Sequence, residues 1–196
     1  MNKQDYRKIE FTTKETFTLK KREIVTYKLK GYTHVYVSNT CHIKPKGLHI
    51  ILKNINEAMK DFKIYDDNLK IIIVSNSGEI SSFGSYRAIE NEVYLNEIIS
   101  DKEKLKFEGI KLGHIERHEM WHVKQALIYK TLYGNISQEN FAHYLNYTNS
   151  RARRYIDSLS LNEDNIAEVS KYAYSSYSLN RYDEIEAEIK AKKGVV

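Results

Sequence analysis

The sequence predicts an α+β fold in which a small, mostly antiparallel sheet packs on a helical core. Two observations predict it. In the N-terminal half, short β-branched or apolar runs at residues 33–37 and 70–74 are typical of strands. After Leu105 the apolar spacing becomes helical, beginning with a long stretch over residues 110–133. The 196 residues suit about one domain, and a single proline and 8 glycines leave no linker composition between the halves.

The N-terminal half begins with a charged segment. Residues 1–30 carry thinly spread apolar side chains, so we expect a loosely attached arm, helical in part, before a domain that spans residues 31–196. Residues 33–37 predict the first strand. Pro45 suits the first turn of a helix. The apolar residues that follow have helical spacing: Leu48, Ile51, Leu52, Ile55, Ala58 and Met59.

The sheet is completed by two further segments. Residues 70–74 (KIIIV) are a continuous apolar run and predict a central strand. Residues 81–95 contain Gly84 and a turn-like Glu90-Asn91 pair. They predict a strand or hairpin at the edge of the sheet, with residues 93–95 on that edge.

The C-terminal half predicts four helices. The first covers residues 110–133 and ends at Gly134, a typical C-terminal cap. Ser137 is a candidate N-cap of the second helix. A third helix is expected over residues 164–174, before the serines at 175, 176 and 178, and a fourth over residues 182–193.

Composition excludes several classes of protein. Net charge is +5, and the pI of about 9.0 is too mild for a dedicated nucleic-acid binder, so no nucleic-acid partner is expected. One cysteine, Cys41, rules out an internal disulfide framework and a Cys-rich zinc module. The N-terminus has no apolar signal-peptide core, and no stretch of 18 apolar residues predicts a membrane span. We therefore expect a cytoplasmic protein.

The motif that carries chemistry is H-E-x-x-H, formed by residues 118–122. Residues four apart share one face of a helix, so His118 and His122 can reach one ion, while Glu119 can touch a water there without ligating the ion. The alternative is a solvated His-Glu-His surface. Helical spacing of the apolar residues around the motif favours a core helix instead: Ile115, Trp121, Val123 and Leu127.

A third ligand is available in the stretch Y-D-E-I-E-A-E at residues 182–188. Catalytic zinc sites use three protein ligands and one open position. Glu184 and Glu188 lie four apart, so one can ligate the metal while the other accepts a hydrogen bond from the back of an imidazole. Glu186 points elsewhere. The alternative is an acidic first helical turn favoured by the helix dipole. With the two histidines the set predicts a Zn²⁺ site.

Together H-E-M-W-H and Y-S-L-N-R-Y-D-E-I-E-A-E resemble the gluzincin metallopeptidases, in the form found in anthrax lethal factor and the clostridial Pro-Pro endopeptidases. The resemblance implies a zincin-like domain, a zinc-dependent endopeptidase activity and a peptide or protein substrate. It assigns the metal ligand to Glu184, the first Glu of E-x-x-A-E, and a hydroxyl aimed into the site to Tyr177, seven residues earlier. It also implies an insertion around residues 135–160.

The sequence departs from the extended zincin pattern at two positions. That pattern prefers an uncharged residue at 116 and an apolar one at 124, whereas this chain has Glu116 and Lys124. We expect both to face solvent, and the departures count against catalytic competence but not against metal binding. In the complete mechanism, Glu119 would move the proton, Tyr177 would donate to the oxyanion, and residues 93–95 would take the peptide as an added strand.

Two other stretches resemble metallopeptidase-like domains of minor head proteins in phages and prophages of low-GC Gram-positive bacteria. They are V-Y-V-S-N-T-C-H-I-K-P-K-G-L-H and S-Y-R-A-I-E-N-E-V-Y-L-N. This resemblance implies a phage or prophage origin. It also supplies the alternative function, a non-catalytic structural or interaction protein whose zinc site only holds the fold together.

The other candidate residues are expected to lie outside the set of metal ligands. His114 lies one turn before His118, but two ligands on one helix plus a distant Glu are the more usual arrangement. Cys41 and His42 are neighbours, which on a strand face opposite ways. The basic residues of the stretch 151–154 lack interleaved aromatic side chains and predict a solvated helix face, with nucleic-acid contact as the alternative.

Overall fold

A computed structural model describes residues 9–19, 21–76 and 82–192. Within them the α+β fold is confirmed, with six strands in one sheet and seven α-helices. The strands are β1 (Phe11–Leu19), β2 (Arg22–Leu29), β3 (Val35–Ser38), β4 (Lys70–Val74), β5 (Gly84–Arg87) and β6 (Glu92–Asn96). The helices are α1 (Pro45–Phe62), α2 (Lys102–Phe107), α3 (His114–Tyr133), α4 (Phe141–Ser158), α5 (Glu163–Val169), α6 (Lys171–Ser178) and α7 (Tyr182–Lys192). A 3₁₀ turn, Glu97–Ser100, follows β6.

The strand order in the sheet is β1-β2-β3-β4-β6-β5. β3, β4 and β6 run parallel, and the other three pairings are antiparallel. The prediction of β4 as a central strand is confirmed, since it pairs on both sides and Ile72, Ile73 and Val74 have no exposed surface. The predicted hairpin at the edge of the sheet is confirmed as β5 and β6, but the placement of residues 93–95 on the edge itself is wrong. They lie in β6, between β4 and β5, and the free edge belongs to β5.

The two faces of the sheet bury different cores, because alternate side chains of a strand point to opposite faces. Ile71 and Ile73 of β4 pack in the main core with apolar residues of α1 and α3. Ile72 and Val74 face the other way and pack against Phe17 at the far end of β1. The helices therefore cover one face, and the β1–β2 hairpin covers the other.

The expected N-terminal arm is wrong over Phe11–Leu19 and Arg22–Leu29, which form the two strands of this hairpin. Thr26 to Lys28 of β2 pair with β3, so the hairpin extends the sheet. Its exposed side is charged, which hides the alternation in the sequence, but Phe17, Leu19 and Ile24 are each at most 5% exposed. Residues 1–8, also assigned to the arm, lie outside the described residues.

The helical half follows the prediction with shifted boundaries. α3 begins at His114 because Gly113 adopts a left-handed conformation (φ 86°) that ends the preceding turn. It ends at Gly134 as predicted. α4 begins after Asn140 instead of after Ser137, whose backbone N–H donates to Asn140 Oδ1 (2.8 Å).

The expected third helix is two helices, α5 and α6, separated at Ser170. Ser170 has an extended backbone (φ −167°, ψ 162°), and its hydroxyl accepts a hydrogen bond from the N–H of Ala173. It therefore starts α6 as an N-cap and changes the direction of the chain. The fourth helix is confirmed as α7 up to Lys192. None of the described helices is long and apolar enough to cross a membrane.

Candidate metal centre

The centre is built between α3 and α7. α3 buries Met120, Val123 and Ala126 completely, which fixes the face that carries His118 and His122. α7 packs on α3 and begins with an acidic turn, which the helix dipole favours. This packing brings Glu184 of α7 against both histidines.

Three ligand atoms converge at this contact. His118 Nε2 and His122 Nε2 lie 3.1 Å apart, and Glu184 Oε2 lies 3.1 Å from the first and 3.3 Å from the second. A tetrahedral ion with ligand distances of about 2.0–2.2 Å holds its ligand atoms about 3.3–3.6 Å apart. The observed spacing is close to that geometry. The three residues therefore form a group that could hold a metal ion.

The back of the His118 ring is held by Glu188. His118 Nδ1 donates to Glu188 Oε1 (2.9 Å), which directs Nε2 towards the centre. Two further donors fix the same carboxylate: His114 Nε2 (3.1 Å) and the Ser170 hydroxyl (2.7 Å). Glu188 is 5% exposed. The structure thus places Glu188 behind His118, as the sequence predicts, and gives His114 a supporting contact instead of a ligand position.

The back of the His122 ring is held by Gln125. His122 Nδ1 donates to Gln125 Oε1 (2.8 Å), and Gln125 Nε2 donates to Glu186 Oε2 (2.9 Å) and to the carbonyl oxygen of Asp183 (3.2 Å). Glu186 also pairs with Arg151 of α4. Both imidazoles therefore carry a hydrogen on Nδ1 and turn Nε2 towards Glu184.

The electrostatics of the centre favour a positive charge. Burial alone would lower the pKa of His118, but hydrogen bonds to Glu184 and Glu188 outweigh it and raise the pKa to about 10. Burial would likewise raise the pKa of Glu184, yet the two imidazoles hold it far below its usual range. A proton or a cation among the three ligand atoms therefore stabilises the cluster.

Glu119 lies beside the centre and against the edge strand. A Cβ at position 84 would lie 2.7 Å from Glu119 Cγ and Oε1, so only glycine leaves room for this carboxylate next to β5. Glu119 is 7% exposed, and burial raises its pKa while the charges of His118 and His122 act in the opposite direction. Among the described residues no group donates a hydrogen bond to its carboxylate, which leaves it available to a reactant.

Tyr177 does not reach the centre, contrary to the expectation. Its ring packs in a separate apolar cluster with Ile156, Ile166 and Ile185 and meets Tyr182 at a centroid distance of 6.2 Å. Tyr172 reaches the centre instead, because its hydroxyl donates to Glu184 Oε2 (2.9 Å). Arg181 pairs with the other oxygen of that carboxylate.

The two departures from the zincin pattern are placed differently. Glu116 was expected to face solvent, which is wrong, because it has no exposed surface and accepts a hydrogen bond from Asn54 Nδ2 (2.8 Å). Lys124 is half-buried, and its Nζ donates to the carbonyl oxygen of Lys63 (3.4 Å). Neither side chain contacts the three ligand atoms.

The remaining basic cluster does not form one surface. Arg151 pairs with buried Glu186, Arg153 lies over the ring of Tyr182, and Arg154 is exposed. Cys41 lies between β3 and α1, and its Sγ donates to the carbonyl oxygen of Ile73 (3.4 Å).

No protein-family model, curated protein or solved structure matches the chain.

Three residues at the centre were not predicted from the sequence: Gln125, Tyr172 and Arg181. Gln125 had a readable signal, since it follows His122 by three residues and so lies on the same helical face. Arg181 precedes Glu184 by the same spacing. Tyr172 had none, because its position depends on the helix start at Ser170.

Proposed function

We propose that this chain is a zinc-dependent endopeptidase of the gluzincin type, which hydrolyses peptide bonds. The observation that carries the proposal is the convergence of His118, His122 and Glu184 beside the unpartnered carboxylate of Glu119. Two imidazoles and one carboxylate are the donor set that catalytic zinc uses with an open fourth position. Bound zinc supplies Lewis-acid activation of a water and of a carbonyl group.

Glu119 is the proton carrier in this proposal. It would accept a proton from the attacking water at a carboxylate oxygen and deliver it to the leaving amine. Its raised pKa suits the exchange, because a carboxylate whose pKa lies nearer neutrality both accepts and releases a proton readily. Its closeness to Gly84 would place this transfer at the edge of the sheet.

Tyr172 takes the role that the resemblance assigned to Tyr177. Its hydroxyl already lies at Glu184 Oε2, and burial raises its pKa, so it stays protonated as a donor. Its single hydrogen would turn from Glu184 Oε2 to the carbonyl oxygen of the peptide as negative charge develops there.

The peptide would bind along β5, which replaces residues 93–95 in this role. β5 is paired on one side only, with β6, so its other side offers backbone groups to an added strand. Gly84 belongs to that strand and touches Glu119. A substrate paired with β5 would therefore pass the proposed proton carrier.

The alternative is a non-catalytic protein, such as a phage head component, in which the metal only joins α3 to α7. A closed structural site uses four protein ligands, whereas the described residues supply three. A structural site also has no need of a carboxylate that lies beside the ligands and accepts no hydrogen bond from the described residues. These observations favour the enzyme.

The deciding experiment is Glu119→Gln in the zinc-loaded protein. A peptide library of mixed sequence serves as substrate, cleavage is read by mass spectrometry, and zinc content is measured by elemental analysis. We expect cleavage to fall by at least about 10²-fold, as for loss of a general base, with zinc content unchanged. His122→Ala is the control, which should lose zinc and activity together. A parent protein that binds zinc and cleaves no peptide would contradict the proposal.

A further inference from the structure

A chain of buried polar contacts leads from the candidate metal centre into α4. It runs from His122 Nδ1 to Gln125 of α3, on to Glu186 of α7, and ends at Arg151 of α4. Gln125 and Glu186 are each 1% exposed. Because Gln125 of α3 bonds to Glu186 of α7, and Glu186 pairs with Arg151 of α4, the chain ties three helices to the orientation of one imidazole.

The chemistry of each member fixes the direction of the hydrogen bonds. The Glu186 carboxylate can only accept, so the amide nitrogen of Gln125 must face it and the amide oxygen must face His122. An amide oxygen only accepts, so the hydrogen of His122 must sit on Nδ1. The lone pair or proton of Nε2 then faces Glu184.

The two histidines are supported by different chemistry. His118 donates directly to a carboxylate, Glu188, whereas His122 donates to a neutral amide. Glu119, Glu184 and Glu188 already bring three carboxylates to the centre. The amide of Gln125 therefore holds His122 without a fourth negative charge in contact with the imidazoles, and Arg151 neutralises Glu186 behind it.

We propose that Gln125 is a positioning residue for His122, and that Glu186 and Arg151 hold its amide in the working orientation. The inference rests on the proposed metal site and extends it into α4, so that a helix with no ligand of its own sets the geometry of one ligand. Gln125 acts only through His122 and touches no reactant.

The first test is Gln125→Met, which keeps side-chain length and removes all three hydrogen bonds of the amide, to His122, Asp183 and Glu186. Zinc affinity is measured by competition with a chromophoric chelator. We expect a 10–100-fold loss, the usual cost of removing such a partner of a metal-binding histidine. Thr148→Val is the matched control, because Thr148 is a buried residue of α4 whose hydroxyl bonds only within its own helix. It should bind zinc as the parent does.

A second readout reports the imidazole itself. In the zinc-loaded parent, nitrogen-15 NMR should show a protected Nδ1–H signal for His122. In Gln125→Met we expect this signal to be lost to exchange with water, while the corresponding signal of His118 stays. A general loss of packing would move both signals.

The second test is the pair Glu186→Gln and Glu186→Leu. Both remove the charge that faces Arg151, so they differ in whether an oxygen remains to accept from Gln125 Nε2. We expect Glu186→Leu to bind zinc about tenfold more weakly than Glu186→Gln. Equal affinities of this pair, or a Gln125→Met variant that binds zinc as tightly as Thr148→Val, would overturn the inference. A parent that binds no zinc would instead refute the proposed function.

Discussion

Four glutamates close to the centre show how surroundings assign different tasks to one residue type. Glu184 faces two imidazole nitrogens, which hold its pKa far below the usual range and keep it ionised as a ligand. Glu188 is held ionised by His118 and His114 and serves as their acceptor. Glu119 has no such donor, and burial raises its pKa. Glu186 accepts a hydrogen bond from Gln125 and forms an ion pair with Arg151. Only the carboxylate without a donor is free to exchange a proton.

At the same scale, we predict that Tyr172→Phe lowers peptide turnover with zinc content unchanged. Removing one donor to a developing oxyanion typically costs about 10²–10³ in kcat. Tyr177→Phe is the matched control, since it removes a hydroxyl from the same helix, and its ring packs in the cluster of Ile156 and Ile166. Turnover measured for both variants checks this. Parent-like turnover in Tyr172→Phe would exclude the tyrosine from the mechanism.

The position of this tyrosine could not be predicted from spacing alone. The His-Glu-x-x-His pattern and the i, i+4 pair Glu184 and Glu188 depend only on helical periodicity, so the sequence identified them. Tyr172 and Tyr177 depend on where α6 begins. Because Ser170 starts that helix four residues after Ile166, the first turn of α6 faces Glu184 and Tyr177 turns to the apolar cluster.

Elements with a strong apolar pattern were predictable, and those defined by long-range pairing were not. α1 and β4 bury the residues that their patterns indicate. The apolar residues of β6 suit an edge strand and a central strand equally well. Its place inside the sheet is decided by its pairing with β5. α3 buries five polar residues: Glu116, Arg117, His118, Glu119 and Gln125. The last three lie at the centre, whereas Glu116 and Arg117 bond to Asn54 and Asp61 of α1.

One buried polar contact joins α3 to α1 and predicts a pH dependence of stability. Burial raises the pKa of Glu116 to about 7, although the hydrogen bond from Asn54 lowers it in part. Between pH 4.5 and about 7 the unfolded chain ionises Glu116 while the folded chain keeps it protonated. The free energy of unfolding should therefore fall as pH rises through this window, by about 3 kcal/mol from this residue.

Glu116→Gln mimics the protonated acid and keeps an acceptor for Asn54. In the presence of a chelator, urea denaturation between pH 5 and 8 should show the variant gaining stability over the parent as pH rises. Glu57→Gln on the exposed face of α1 should shift stability by no more than about 0.5 kcal/mol at every pH. A gain for Glu116→Gln that does not change with pH would show that Glu116 is not protonated in the fold.

The whole molecule is held by the hairpin as well as by the helices. Arg87 of β5 donates to the carbonyl oxygen of Thr18 in β1 (2.6 Å), so the two edge strands of the sheet meet across its outer face. Phe17, Leu19 and Ile24 of the hairpin cover the other members of their apolar cluster: Tyr36, Ile72, Val74 and Tyr94. Without the hairpin, β6 would expose one apolar face to water. β6 is the strand that pairs with β5, and so it supports the proposed peptide-binding edge.

This arrangement predicts that two phenylalanines of β1 differ sharply in their effect on stability. Phe17 is 5% exposed, meets Tyr36 at a ring distance of 4.9 Å and lies under Lys70, whereas Phe11 is 44% exposed and touches Tyr27. Phe17→Ala should lower the free energy of unfolding by about 3–5 kcal/mol, the cost of emptying a buried aromatic site. Phe11→Ala should cost less than about 1 kcal/mol, because its ring is already largely hydrated. Urea denaturation of both variants checks the difference. If β1 and β2 belonged to a loosely attached arm, both substitutions would be equally mild. The apolar cluster around Phe17 and Tyr36 would then contribute nothing to stability.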